Sequence, residues 1–526
     1  MTDATSEAVV DKENGGEAAP PDVRSARTWT TAVTSLAAAM MTLDITVVNV
    51  AMPRIGVDLD ASLDSLQWIV NAYTLSFAAL LLTAGSVSDR IGRKRIFLAG
   101  TAVFTVASAA CALAPGAGVL IAARAVQGAG GAMVLGTSLA LIAGAYEGAP
   151  ARARTGAIGL YTAGAAVSAA LGPLVGGAIT EWLSWPWLFA VNVPVGVLIL
   201  VGAVRKVPES VDPAVSGRVD KAGAVLAVLA LFALNYGLLT GAEHGWSRLD
   251  VTGTLAAGAV LTIAFALLQW RLGERAMLDP RLFAIPTFSG AVLLSFAARI
   301  FSFGLLPFLT LWLGGMLGLS PFRIGLVLLA QSVALLLAAP VGMMLAKKLR
   351  VSVVLALGMV LVAAGMFSAT GIGPADDWTA VLPMLLLLGA GAGLTLPHLL
   401  DLAVGVVPAA RAGTASGAAN SFFPLGTAVG VALFGVVLSS HVDSALTPAV
   451  LGIPAADVGH VHELVTAGQF DAMAAPYEGA TRDHVLALAH TAYTDALSSI
   501  FLIAGTAALV AAAASLVLVR RQDGRA

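Results

Sequence analysis

The chain has 526 residues, of which 58% are hydrophobic and 11% charged, with a formal net charge of −2 and a mean hydropathy of +0.88. A soluble domain clothes itself with about 25% charged residues, so this composition excludes a water-soluble globule and makes lipid the solvent. The single cysteine, Cys111, excludes a disulfide framework or a cysteine metal site; the net charge by itself argues neither for nor against a nucleic-acid partner, and none is expected of a chain embedded in lipid.

Residues 1–28 are rich in Ala, Glu, Asp and Pro and are expected to be a disordered tail. They lack a basic segment followed by a short apolar core, so the first apolar helix itself is expected to direct insertion. Spanning hydrocarbon takes roughly 20 apolar residues of helix. Such stretches fall near 30–52, 68–88, 96–114, 119–144, 156–180, 188–204, 222–241, 251–270, 288–312, 323–346, 351–371, 380–405, 413–438 and 497–519. The runs are unbroken rather than alternating with period two, which excludes a barrel. Glu243, His244 and Arg248 mark the turn between the seventh and eighth helices.

Lysine and arginine set the orientation. With the N-terminus in the cytoplasm, 23 of the 29 basic residues fall on that side. Only Arg54, Arg248, Arg323 and Arg482 fall outside, and Arg124 and Arg299 lie within helices. Both termini are therefore expected inside.

The first helix carries Asp44 within Leu43-Asp44-Ile-Thr46-Val-Val-Asn49-Val-Ala51-Met-Pro53. At 1.5 Å per residue it lies roughly 13 Å below the outer end, and Arg124 of the fourth helix roughly 9 Å below the same side. Burial pushes a carboxylate towards its neutral form and a nearby arginine pushes it back. Asp44 is thus the leading proton-coupling candidate, or alternatively half of a fixed ion pair between the first and fourth helices.

After the second helix comes Gly85-Ser-Val-Ser-Asp89-Arg90-Ile-Gly92-Arg93-Lys94-Arg95. A tight turn needs glycine, and the basic cluster holds it to the anionic inner leaflet. Asp89 is suited to lock one conformation against a neighbouring helix N-terminus. In the fourth helix an arginine at the membrane centre costs at least about 2.5–3.5 kcal/mol. Arg124, sharing a face with Gln127, should therefore meet a partner or wet cavity, or else snorkel to the outer interface. The fifth helix places small residues at every fourth position, including Gly172 and Gly176, a stripe for close helix approach. Pro173 should kink it.

Between the sixth and seventh helices, residues 205–221 form a linker with Pro208 and Pro213. In the twelfth helix His398 and Asp401 share a face, and the pair could pass protons to the cytoplasm or merely line a wet inner mouth. Arg299 of the ninth helix could neutralise one of these carboxylates. Residues 439–496 form a long outer loop holding five of the seven histidines. Its run from His460 to Glu463 makes a metal site conceivable, but the loop is read as solvated and partly helical, with no metal. Candidate substrate contacts on cavity helices are Asn49, Trp68, Asn71, Tyr73, Gln127, Tyr161, Phe301, Trp312, Gln331 and Asn420. Aromatics there can stack on flat ligands and attract cations, although Trp68 also suits an interface anchor. No Gly-rich phosphate loop with lysine is present, so no ATP or other cofactor is expected and a proton gradient is the anticipated driver.

These motifs, in order, resemble those of the major facilitator superfamily. The Gly172-Pro173 helix is similar to that of its antiporters, and the Asp44 segment to the signature of the fourteen-helix drug/proton antiporters, including actinobacterial antibiotic-resistance exporters. The resemblance covers most of residues 30–438 and is strongest in the first 200. Three departures stand out. Trp185-Pro186-Trp187 lacks the family's usual arginine, Ala346 stands where the first half has Asp89, and the segment around Asn420 and Pro424 lacks an arginine often found there.

The implied fold is all-α and membrane-embedded, with fourteen transmembrane helices. One six-helix bundle spans 29–204, an inserted helix pair 222–270, and a second bundle 288–519 ending in a cytoplasmic tail at 520–526. The implied activity is proton-coupled export of amphipathic or cationic drugs by alternating access, in a bacterial cell membrane, by a monomer and without enzymatic chemistry. Export of an endogenous lipid or pigment, or uptake symport, are the alternatives on the same fold.

Overall fold

The computed structural model describes residues 20–210, 220–244, 248–273, 276, 280–406 and 412–519. The N-terminal tail before residue 20, most of the linker, the turn at 245–247 and the C-terminal tail lie outside the described residues. Numbering only the long helices, the chain runs α1 (Pro21–Asp58), α2 (Leu63–Ile91), α3 (Arg93–Ala112), α4 (Ala117–Ala145), α5 (Ala151–Trp182) and α6 (Asn192–Lys206). It continues as α7 (Lys221–His244), α8 (Leu249–Leu272), α9 (Pro286–Phe303), α10 (Pro321–Ala346), α11 (Val351–Ser368), α12 (Leu382–Gly405), α13 (Ala412–Ala445) and α14 (Gly479–Leu518). Thirteen described segments are long and apolar enough to cross a membrane; α2, at 29 residues, is the remaining long helix.

In hydrocarbon every backbone polar group must be satisfied within the chain, which is why each apolar run becomes a helix. Polar residues inside the spans follow the same rule: Thr34 donates to the Thr30 carbonyl and Ser138 to that of Val134, spending their hydroxyls on the turn behind them. In the first bundle α2 packs along α4, α1 along α5, and α3 against α4 and α6. In the second, α10 lies along α12, α11 against α12 and α14, and α9 against α13. Helices α7 and α8 form a hairpin, and α7 touches both α2 and α13.

Small residues set the close crossings. A Cβ on Gly130 would stand 2.6 Å from the backbone nitrogen of Phe104, and one on Gly100 2.6 Å from the Met133 Cβ, so α3 and α4 meet nearly backbone to backbone. The stripe on α5 serves two neighbours. Gly172 and Gly176 admit Thr46 and Val47 of α1, whereas Gly177 faces the Pro321 carbonyl, and the Pro173 carbonyl faces Gly325 on α10. The last two contacts join the bundles at the face opposite the one where α1 begins and α14 ends. At that same face Gly314 meets Pro53, Glu181 accepts from the Phe322 backbone N–H at 2.9 Å, and Trp182 packs on Phe322.

Three expectations need correction. First, α1 starts at Pro21 rather than after residue 28. Pro sits at its first helical position and Asp22 in its first turn, both favourable there, and Arg27 Nε donates to the Ala145 carbonyl. Second, α9 does not run straight to residue 312. It stops at Phe303, resumes as Leu306–Leu311, and passes into a π-helical turn at Trp312–Met316. Third, the long loop is partly helical, as expected, but it buries an apolar side instead of being solvated throughout. Helices α13 and α14 extend to Ala445 and from Gly479, and between them lie the short helices Pro448–Leu451, Ala455–Thr466 and Phe470–Ala474. Val458, Val461, Val465, Phe470 and Met473 are buried there in the same core cluster as α14.

His462 ties this loop to α13. Its Nδ1 lies 2.7 Å from Asp443 Oδ1 and its Nε2 2.7 Å from the Leu446 carbonyl. Two acceptors require both ring nitrogens to donate, which only the imidazolium does; the Asp443 bond raises the His462 pKa above its ordinary value. The stabilisation is therefore complete below about pH 6.5 and is lost as pH rises through the raised folded value. Protection factors across Ala455–Thr466, taken against the intrinsic exchange rate at each pH, should fall over that rise in wild type and stay level in His462→Gln; wild-type protection factors that do not change with pH would contradict it.

Candidate functional site

Helices α1, α3, α4 and α6 place a sealed polar cluster in the first bundle. Asp44 is 1% exposed and Arg124 also 1%, and Arg124 Nη1 donates to Asp44 Oδ2 at 2.7 Å. The same nitrogen donates to Gln127 Oε1 at 2.7 Å, and Arg124 Nε to the Ile69 carbonyl at 3.1 Å. Asp44 Oδ1 accepts from Gln127 Nε2 at 2.9 Å and from Asn192 Nδ2 at 2.7 Å. Ser108 of α3 accepts from Gln127 at 2.9 Å. The Arg124 guanidinium also lies 4.2 Å from the Tyr73 ring centre, with Phe189 beyond it at 5.7 Å. Arg124 thus points inward to a partner rather than snorkelling to an interface.

An ionised carboxylate only accepts, and this one is met by three donors from two helices. Such charge-assisted bonds are roughly twice as strong as neutral ones. The arrangement is complete for Asp44 without its proton. Adding a proton would turn one oxygen into a donor that faces a donor, so at least one of the three partners would have to turn away or present an amide oxygen instead.

Asn192 and Ser108 were not among the residues singled out from sequence. The signal was present: a lone amide opening the apolar helix α6, just beyond the Trp185-Pro186-Trp187 turn. A buried carboxylate needs more donors than one arginine supplies, and that need points to such an amide.

The second candidate pair does not assemble. His398 is 8% exposed, and its Nε2 has no hydrogen-bond partner among the described residues. Asp401, one turn on, is exposed, and among the described residues no hydrogen bond joins the two. Arg299 is held over the Phe303 ring at 4.2 Å.

The substrate candidates divide. Tyr73 and Gln127 belong to the Asp44 cluster. Trp68 stacks on Phe232 at 6.0 Å, and Asn71 Nδ2 donates to Asn235 Oδ1 at 3.2 Å, so both serve the α2–α7 interface rather than an open cavity. Phe301 and Trp312 lie in the main apolar core, and Tyr161 packs with Ala38, Ile142 and Ala157. Gln331 Nε2 donates to the Ser302 carbonyl at 2.8 Å. Asn49 is 9% exposed with its Oδ1 unpartnered among the described residues. The side chains of Asn420, Asp89 and Arg90 lie outside the described residues.

The rest of the α2–α3 turn is described. Gly92 adopts φ +123°, and a Cβ there would stand 2.9 Å from the Glu209 carboxylate. Glu209 accepts from the Lys94 backbone N–H at 3.0 Å, capping α3, and lies 3.6 Å from Arg95. Arg93 donates to the Ser210 hydroxyl at 3.2 Å. Gly85 packs 3.7 Å from the Gly136 carbonyl of α4.

Comparison with known proteins agrees with this architecture. The family model described as the Major Facilitator Superfamily matches residues 34–302 and 291–456. The chain is 34% identical to the multidrug efflux pump LfrA of Mycolicibacterium smegmatis, over 96% of this chain and 99% of that protein. It is 30% identical to the tetracenomycin C resistance and export protein of Streptomyces glaucescens, over 96% and 94%. It is 36% identical to the methylenomycin A resistance protein of Streptomyces coelicolor, over 77% and 84%. Among solved structures, a bacterial homologue of the human lysosomal transporter Spinster, inward-facing and unoccupied, superimposes with TM-score 0.64 at 18% identity, covering 96% of this chain and 98% of that one.

Removing a partner from a charged hydrogen bond costs about 1.5–3 kcal/mol. Asn192→Ala should lower detergent-state unfolding stability by that amount, and Asn192→Asp by more, since it sets two carboxylates face to face. Thermal unfolding checks both; an unchanged Asn192→Asp melting point would remove Asn192 from the cluster.

Proposed function

Since the chain belongs to the major facilitator superfamily, we propose that it exports amphipathic or cationic drugs and antibiotics in exchange for protons, with Asp44 as the proton-carrying group. It is a membrane transporter and not an enzyme. The names of its relatives, multidrug pumps and antibiotic-resistance proteins of actinobacteria, support drug export. The observation that carries proton coupling is the Asp44 cluster: a membrane carboxylate whose hydrogen bonds balance in only one protonation state.

The face carrying the chain termini is taken as cytoplasmic, in a bacterial cell membrane, from the distribution of lysine and arginine. The opposite, outer face is where α5 meets α10 and Pro53 meets Gly314, so the conformation is read as inward-facing. Residues 29–204 and 288–519 are the two bundles that rock about the substrate path, with 222–270 riding between them.

A working cycle follows from the donor count. A proton arriving on Asp44 displaces at least one of Arg124, Gln127 and Asn192. Arg124 keeps its bonds to the Ile69 carbonyl and Gln127, so the guanidinium need not be stranded when it yields. Loss of the bonds between α1 and both α4 and α6 loosens the first bundle against α5, whose Gly172 and Gly176 hold α1 closely. Each proton moving inward down the membrane potential supplies about 2.3 kcal/mol per 100 mV. Asn49, one and a half turns from Asp44 on α1, is the favoured substrate contact. Gly85, Asp89, Arg90, Gly92 and Arg93 form the inner-gate turn, with Glu209 holding its shape. The protein is proposed to act as a monomer with no cofactor.

Adding a cationic dye to detergent-purified protein should release protons in wild type and none in Asp44→Asn, with dye still bound by both. Release that persists in Asp44→Asn, or binding without release in wild type, would remove Asp44 as the coupled site.

A further inference from the structure

The folded segment between α13 and α14 touches both bundles, but very unequally. Its grip on the second bundle is extensive. His462 bonds Asp443 and the Leu446 carbonyl, and Phe470, 2% exposed, packs edge-on against His490 at 4.9 Å and Tyr493 at 5.6 Å on α14. Tyr493 in turn donates to the Phe308 carbonyl of the broken ninth helix at 3.1 Å. The Gly468 backbone lies where a Cβ on Gly315 would stand.

Among the described residues, Gln469 ties it by hydrogen bonds to the first bundle. Gln469, 8% exposed, donates through Nε2 to the Gly56 carbonyl at 2.9 Å and the Ala61 carbonyl at 3.3 Å. Both carbonyls belong to the turn where α1 ends and α2 begins. The Gly56 carbonyl also accepts from the Ala61 backbone N–H at 2.9 Å, so the turn keeps its own hydrogen bond when a second-bundle amide seizes or releases it. Gly468 takes φ +71°, the sharp turn that aims Gln469 away from its own bundle.

We propose that residues 446–478 form the outer gate, carried rigidly by the second bundle and latched to the first by Gln469. This rests on the alternating-access reading above. For the outer face to open, the gate leaves with α13 and α14, and the two Gln469 bonds break while the His462 and Phe470 anchors persist. Export then requires one release of Gln469 per cycle.

Two measurements test this. Spin labels at Asp58→Cys and Ser444→Cys, exposed positions at the outer ends of α1 and α13, report the outer opening without reference to any substrate; Cys111 is buried and does not compete for label. Gln469→Ala should add a longer-distance population that the unsubstituted latch lacks, whereas Phe470→Ala, which loosens the gate from its own bundle, should not. Separately, Ala61→Cys with Gln469→Cys, joined by a short bifunctional thiosulfonate, should slow dye export at least tenfold while leaving dye binding within twofold. Reduction should not be needed to restore export in either single variant treated with the same reagent. Identical distance distributions with and without Gln469→Ala would overturn the latch, as would a bridged pair that exports at the unbridged rate. Failure of export in every variant, with the distance shift still present, would instead tell against drug export and leave the gate standing.

Discussion

Everything in the first bundle is arranged around one buried ion pair. A carboxylate and a guanidinium taken out of water each forfeit several kcal/mol of hydration, and their mutual attraction recovers this only if the remaining lone pairs and N–H groups also find partners. The chain meets that demand with side chains from four helices: Asp44 on α1, Ser108 on α3, Arg124 and Gln127 on α4, and Asn192 opening α6. The demand also explains the glycines beside it. Gly128 and Gly131 on α4 let Tyr73 come close, so that the ring can lie against the guanidinium. The polar cluster therefore dictates helix spacing as much as it depends on it.

The two bundles are unequal in this respect. The first concentrates its buried charge in a closed network, whereas in the second His398 and Asp401 stand apart and Arg299 rests on an aromatic face. On the proposed function, proton coupling would reside in the first bundle. The large apolar cluster does not divide in the same way: it runs from α1 and α2 through α9 and α14 to the short helices of the outer segment, so apolar packing is continuous between the bundles.

Much of this was readable from the residues alone, and the reason is physical. Hydrocarbon permits few backbone conformations, so fourteen apolar runs became fourteen helices, and an arginine at mid-membrane had to find Asp44. What was not readable depended on which way side chains face. Trp68 and Asn71 looked like cavity residues because their helix is central, but the inserted α7 covers that face. His398 and Asp401 share a helical face by spacing, yet Pro397 lies inside the helix beside them, and Asp401 turns out to be exposed. The outer segment reads as solvated because its polar residues are numerous; its apolar residues at 458, 461 and 465 recur at helical spacing and bury one side of it.

The position of α7 has a mechanical consequence. It lies against α2 of one bundle and α13 of the other, so any motion that separates those two helices must peel α7 from one of them. Its seam with α2 holds a buried asparagine pair and a stacked ring pair, bonds that resist sliding. Parting α2 from α13 must therefore either break that polar seam or strip α7 from α13, and the inserted hairpin acts as a brake on any such separation.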